Sequence, residues 1–197
     1  MSIVPQRLSY EKIGEIAYSF LSSYYPSLSL PIPIEEIAES KFNIEIIPVM
    51  TMKEEYDADG CLTSDFSTIF VDYHVYTKQE NRTRFTIAHE IGHLVLHKEL
   101  FETLKIQTAN DLYKLSDKIS NENYGWLEYQ AYTFAGHVLV PKNLLLSEIK
   151  KRLGRIPEHE NPENMFHVFQ DLIDVFKVSG EVMLRRLTKE GLVKSNS

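Results

Sequence analysis

The 197-residue sequence contains one cysteine, Cys61. An intramolecular disulfide and a multi-cysteine metal site within the chain are excluded, and such sparse cysteine points to a reducing compartment. Long apolar runs are also missing. A bilayer span needs about 20 consecutive apolar residues, whereas even Leu94–Leu96 is closed on both sides by histidines. The N-terminal residues lack the positive start and apolar stretch of a secretory signal, so the mature chain is expected to begin near Met1 and to stay in the cytoplasm. Positive charge is in deficit, with 21 Lys+Arg against 28 Asp+Glu and a net charge of −7. No overall field exists to hold a phosphate backbone, and direct nucleic-acid binding is not expected. What is present is ordinary globular composition, 43% hydrophobic and 25% charged, which is enough apolar matter for a core and excludes a disordered chain.

Ser9 is a candidate N-cap for a first helix that carries Ile13, Ile16, Ala17, Phe20 and Leu21 at helical spacing and ends before Pro26. Ile34, Ile37 and Ala38 suggest a short second helix after two prolines. The segments 42–49, 60–65 and 67–74 are rich in β-branched and aromatic residues and separated by turn formers, so a sheet of about three strands is expected. From Asn81 the apolar positions Phe85, Ile87, Ala88, Ile91, Leu94 and Val95 describe a largely buried helix. A polar stretch follows, with a short helix expected around 112–119, then a helix from Trp126 that stops at Pro141. Further helices are expected over 142–152, 163–176 and 180–188. The fold class is α+β: a small sheet packed against a helical bundle, with a helical C-terminal region. Residues 1–155 are expected to form the main domain, with 156–197 either a helical C-terminal subdomain packed on it or a continuation of one domain, and 152–164 a candidate hinge.

His89 and His93 lie four residues apart in the buried helix, which sets their side chains about 40° apart and about 6 Å along the axis. Both imidazoles can reach one metal ion. Glu90 points roughly 100° away from His89, poorly placed as a ligand and well placed to hold a water on the metal. HEIGH is thus an HExxH sequence. Imidazoles on so apolar a helix need partners, which a metal supplies. Gly92, unfavourable by about 1 kcal/mol in a helix interior, makes sense if another element approaches the backbone there. A third protein ligand must be His, Asp or Glu from another buried element, unless Cys61 lies close. Glu128 stands out as a carboxylate on an otherwise apolar helix, although a Glu near a helix start also favours the helix dipole.

The segments RTRFTIAHEIGHLVLH (82–97) and EYQAYTFAGHVLVP (128–141) resemble the ImmA/IrrE family of zinc metallopeptidases, in which an HExxH helix is followed by a helix of the form ExxAxxFAxxLLxP. The resemblance extends over about residues 10–193. It implies that Glu128 is the third ligand of one Zn2+ held with His89 and His93, and that Glu90 is the catalytic base. It further implies regulatory cleavage of a helix-turn-helix transcriptional repressor, as in mobile-element or stress-response control. The sequence departs from the family at Tyr132, where Asn or Asp is usual after the motif alanine, and at His137, where a small or acidic residue is commoner. If the usual Asn or Asp orients a zinc-bound histidine, that role is unfilled or done differently here.

An oxyanion donor or a support for the metal ligands is sought among His97, His137, Tyr129 and Tyr132. The plainer reading of His97 is interaction with the helix C-terminus, and of the others core packing. Arg84 is expected in a structural ion pair rather than on substrate, 150–155 on a solvated helix face, and Cys61 as a small buried hydrophobe. The strand Thr68, Ile69, Phe70, Val71 and Asp72 is expected to present an exposed edge to which an extended substrate adds. The rival functional reading is a non-proteolytic zinc-containing module that binds a repressor or belongs to a toxin–antitoxin pair.

Overall fold

The computed structural model describes residues 5–108 and 119–194; the short helix expected around 112–119 lies, except for Ile119, outside them. Ser9 caps the first helix as expected, its hydroxyl accepting from the Lys12 N–H at 3.2 Å, and α1 runs Tyr10–Tyr24. Its stripe of Ile13, Ala17, Phe20 and Leu21 is buried. Helix α2 (Ile34–Phe42) turns Ile34, Ile37 and Ala38 inward and ends at Asn43 in the left-handed region, which asparagine tolerates better than most residues.

Strands β1 (Glu45–Val49), β2 (Gly60–Leu62) and β3 (Thr68–Asp72) form one sheet in the order β1-β3-β2. β3 runs parallel to β1, with Ile46 opposite Ile69, and antiparallel to β2, with Cys61 opposite Phe70. This corrects the expected substrate edge. Thr68, Ile69, Phe70, Val71 and Asp72 make up the central strand, and both of its edges are already paired. The physical reason lies in burial: Ile69 and Val71 are wholly enclosed, the environment of an inner strand rather than an edge.

Two short helices flank the sheet, α3 (Met52–Tyr56) and α4 (Tyr73–Lys78). Buried Asp72 joins them by accepting from the N–H groups of Lys53, His74 and Val75 at 3.0, 2.9 and 3.1 Å. Burial opposes its charge, but these backbone donors prevail and hold the carboxyl below its ordinary range.

The molecule is organised around α5 (Glu80–Leu104) and α6 (Asn121–Leu139). α6 begins at Asn121 rather than Trp126, because Ser120 caps it by accepting from the Asn123 N–H and Glu122 sits in its first turn. Helices α7 (Lys142–Leu153), α8 (Phe166–Phe176, after a 3-10 turn at Pro162–Met165) and α9 (Gly180–Lys189) complete the α+β fold. Buried Arg186 on α9 donates to the Val140 carbonyl from Nε at 3.2 Å and Nη2 at 3.0 Å. Buried Arg84 on α5 donates to the carbonyls of Ile32 at 2.7 Å and Lys177 at 3.2 Å, so it ties three segments together through backbone oxygens. One apolar cluster extends from Ile13 to Val193. No described helix is long and apolar enough to cross a membrane.

Candidate metal centre

The four-residue spacing on α5 brings the two imidazoles face to cleft, with Nε2 of His89 and Nε2 of His93 3.0 Å apart. Glu128 on α6 meets them both: Oε2 is 3.1 Å from His89 Nε2 and Oε1 is 3.4 Å from His93 Nε2. These ligand-type atoms all lie within 4.8 Å of one another. Gly92 explains how a carboxylate from another helix arrives there. A Cβ at that position would stand 3.1 Å from both Cα and O of Ala131, so any side chain there would press the backbone of α6 back by a few tenths of an ångström. Ala131 lies three residues after Glu128, and the contact therefore sets Glu128 about one turn away, opposite the histidines.

Glu128 keeps 38% of its side chain exposed, against 17% for His89 and 6% for His93. Burial pushes the Glu128 carboxyl up, but hydrogen bonding to His89 and His93, together with their charge, outweighs it and holds the group well below the usual range. His89 shows the reciprocal effect, its burial outweighed by Glu128 so that its pKa rises. Two imidazole nitrogens and one anionic oxygen converge beside a cleft of about 1180 Å³. That donor set suits a divalent transition metal with one position left open. The residues fit the group.

Glu90 stands apart from the ligands. It is buried, and its Oε2 accepts from the Leu62 N–H of β2 at 3.0 Å. Gly60 permits this approach of β2 to α5: a Cβ there would lie 2.4 Å from Thr86 Cγ2 and 3.2 Å from Glu90 Oε1. Burial raises the Glu90 pKa, opposed by His89 and His93 and aided by Glu128. A carboxyl raised in this way suits proton transfer.

His97 lies one turn beyond His93, buried, with its Nδ1 3.1 Å from His93 Nδ1. It sits at a kink, where the helical segment that carries His89 and His93 ends and a second segment runs on to Leu104. Burial, and then the nearby His93, pull its pKa to about 3. Tyr132 lines the cleft, its ring 4.7 Å from that of Phe85 and 4.2 Å below the Arg185 guanidinium. Tyr129 takes the Trp126 ring at 5.5 Å. His137 lies away from the cleft against α1, its ring 4.5 Å from Tyr10, and burial and then Arg186 lower its pKa to about 4. None of the β3 residues Thr68–Asp72 lines the cleft. Tyr124 escaped the sequence reading although it stands four residues before Glu128, on the same helix face. It lines the cleft, and burial, together with the Glu128 and Glu90 carboxylates, pushes its phenol up.

Residues 39–188 match the family model Peptidase_M78, the IrrE N-terminal-like domain, a span that includes His89, Glu90, His93 and Glu128. The chain belongs to the IrrE N-terminal-like family of metallopeptidases. No curated protein matches it. Among solved structures, this IrrE-like fold is similar to a Mycobacterium tuberculosis transcriptional regulator, with a TM-score of 0.57 and 17% identity over 90% of the chain. The chain spans 46%, about half, of that protein's length.

Proposed function

We propose that this IrrE-like chain is a zinc-dependent endopeptidase that acts in the cytoplasm on a helix-turn-helix transcriptional repressor. The observation that supports it best is a division of labour. His89, His93 and Glu128 converge on one point, while Glu90, next to His89 in sequence, is held apart from them by Leu62 and still lines the same cleft. Zinc bound there would polarise the scissile carbonyl and acidify a water. Glu90 takes a proton from the attacking water as its oxygen bonds to the carbonyl carbon, then passes it to the amine nitrogen as the C–N bond breaks. The Leu62 N–H occupies Oε2 and leaves Oε1 for the proton.

Substrate reaches the cleft along β2. The bonds Asp72 N–H to Asp59 O and Thr63 N–H to Thr68 O turn the alternate residues of this strand toward β3, so the N–H and C=O groups of Gly60 and Leu62 turn away from it, the Leu62 N–H being already taken by Glu90. An extended peptide laid there runs beside Glu90. The repressor as substrate rests on the family resemblance.

The test compares zinc-loaded wild type with Glu90→Gln on a purified helix-turn-helix repressor, with fragments read by mass spectrometry. Fragments from the wild type alone, at equal zinc content, are expected. An intact repressor in both reactions, with repressor binding retained, would favour the non-proteolytic module.

A further inference from the structure

We propose that His97 is a positioning residue of the metal centre, fixing the tautomer and orientation of His93 through a hydrogen bond between the two Nδ1 atoms. The inference rests on the reading of His89, His93 and Glu128 as metal ligands. His93 turns Nε2 toward His89 and Glu128, at 3.0 and 3.4 Å, and Nδ1 toward His97 Nδ1, at 3.1 Å. An imidazole that offers a lone pair at Nε2 carries its proton on Nδ1. That proton needs an acceptor, and His97 Nδ1 stands at hydrogen-bond distance. The pairing in turn fixes His97 as the tautomer protonated at Nε2.

Two observations make this more than a chance contact on one helix face. His97 Nε2 is buried and has no hydrogen-bond partner among the described residues. A polar ring enclosed with one nitrogen unsatisfied is unfavourable, and its other nitrogen has a single evident use. The backbone also leaves helical geometry at His97 itself, with φ −129° and ψ 20°, at the kink where the two helical segments of Glu80–Leu104 meet. The distortion falls on the residue whose ring lies beneath His93, 5.2 Å between centroids, and the Phe101 ring holds His93 from a further side at 5.0 Å. His93 is thus held by the His97 hydrogen bond and by a ring from beyond the kink. Metal-bound histidines commonly depend on such a partner for the second nitrogen.

The experiment measures Zn2+ affinity by competition with a chromophoric chelator, on the full chain, for wild type, His97→Leu and His97→Gln. Leucine fills the space without an acceptor, whereas the glutamine Oε1 can take the His93 proton. We expect His97→Leu to bind Zn2+ about 10–100-fold more weakly with unchanged far-ultraviolet circular dichroism, and His97→Gln to recover most of the loss. Should His97→Leu fail to fold, His97→Phe carries the same comparison. Wild-type affinity in the leucine variant would overturn the proposal and leave the metal centre standing. Equal losses in both variants would also overturn it, since packing alone would then be at work. A wild type that takes up no Zn2+ would overturn the metal centre itself, and this proposal with it.

Discussion

Replacing Gly92 with alanine sets two well-defined effects against each other. Alanine in a helix interior is favoured over glycine by about 1 kcal/mol. Its Cβ, however, would stand 3.1 Å from Cα and O of Ala131 and 3.2 Å from Phe134 Cδ1. The first two are backbone atoms of a buried helix, unable to swing aside, and overpacking of this kind typically destabilises by about 1–3 kcal/mol. The difference is a net loss of about 0–2 kcal/mol, which for a chain of this size lowers the melting temperature by a few degrees. The larger consequence falls on the metal. If α6 yields by a few tenths of an ångström, Glu128 moves with it, and a coordination distance tolerates only about 0.2 Å. We expect Gly92→Ala to weaken Zn2+ binding about tenfold or more, equivalent to about 1.4 kcal/mol. Thermal unfolding with and without Zn2+ reads both quantities, because the metal-induced rise in melting temperature shrinks as affinity falls. A variant about 1 kcal/mol more stable than wild type with Zn2+ binding intact would refute the claim that the glycine contact seats the third ligand.

Gly60→Ala should have the complementary phenotype. Its Cβ would collide with Thr86 Cγ2 at 2.4 Å and displace the strand that holds Glu90, so kcat on a cleaved repressor should fall about tenfold or more while Zn2+ affinity stays near wild type; a loss of both in proportion would contradict the separation of base from ligands. His137 makes a pH prediction. Its pKa is about 4 in the folded chain against an ordinary 6.5, so both states are neutral above about pH 6.5, and below it the unfolded chain takes up the proton first. Stability is therefore present above about pH 6.5 and is lost as pH falls toward about 4, by roughly 3 kcal/mol. In urea denaturation at pH 7 and pH 4, His137→Gln should lose correspondingly less than wild type; equal losses would show that His137 is not what the acid titrates.

The α+β class, the order of the main helices and the pairing of His89 with His93 were legible because each rests on local spacing. Glu128 was legible by contrast, as one acid among apolar neighbours, and Gly92 by its poor fit to a helix interior. The place of β3 was not legible. A strand's own residues report burial, but whether it is an edge or a centre depends on which distant strands pair with it, and the parallel partner β1 comes from across α3 and β2. Helices α3 and α4 are too short to show a period, and α4 depends on the Asp72 cap. The first turn of α6 has no apolar period because its residues are polar, and Ser120 is its one local signal, as a cap. The distortion at His97 has no local signature such as proline, so only the structure reveals it.

The central claim is that two histidines of α5 and one glutamate of α6 hold a metal ion. It is tested most directly by zinc content, read by elemental mass spectrometry on purified wild type and Glu128→Ala after equal exposure to Zn2+. The account predicts about one zinc per chain in the wild type, lost or much weakened in the variant. No zinc in the wild type, or equal zinc in both proteins, would contradict it.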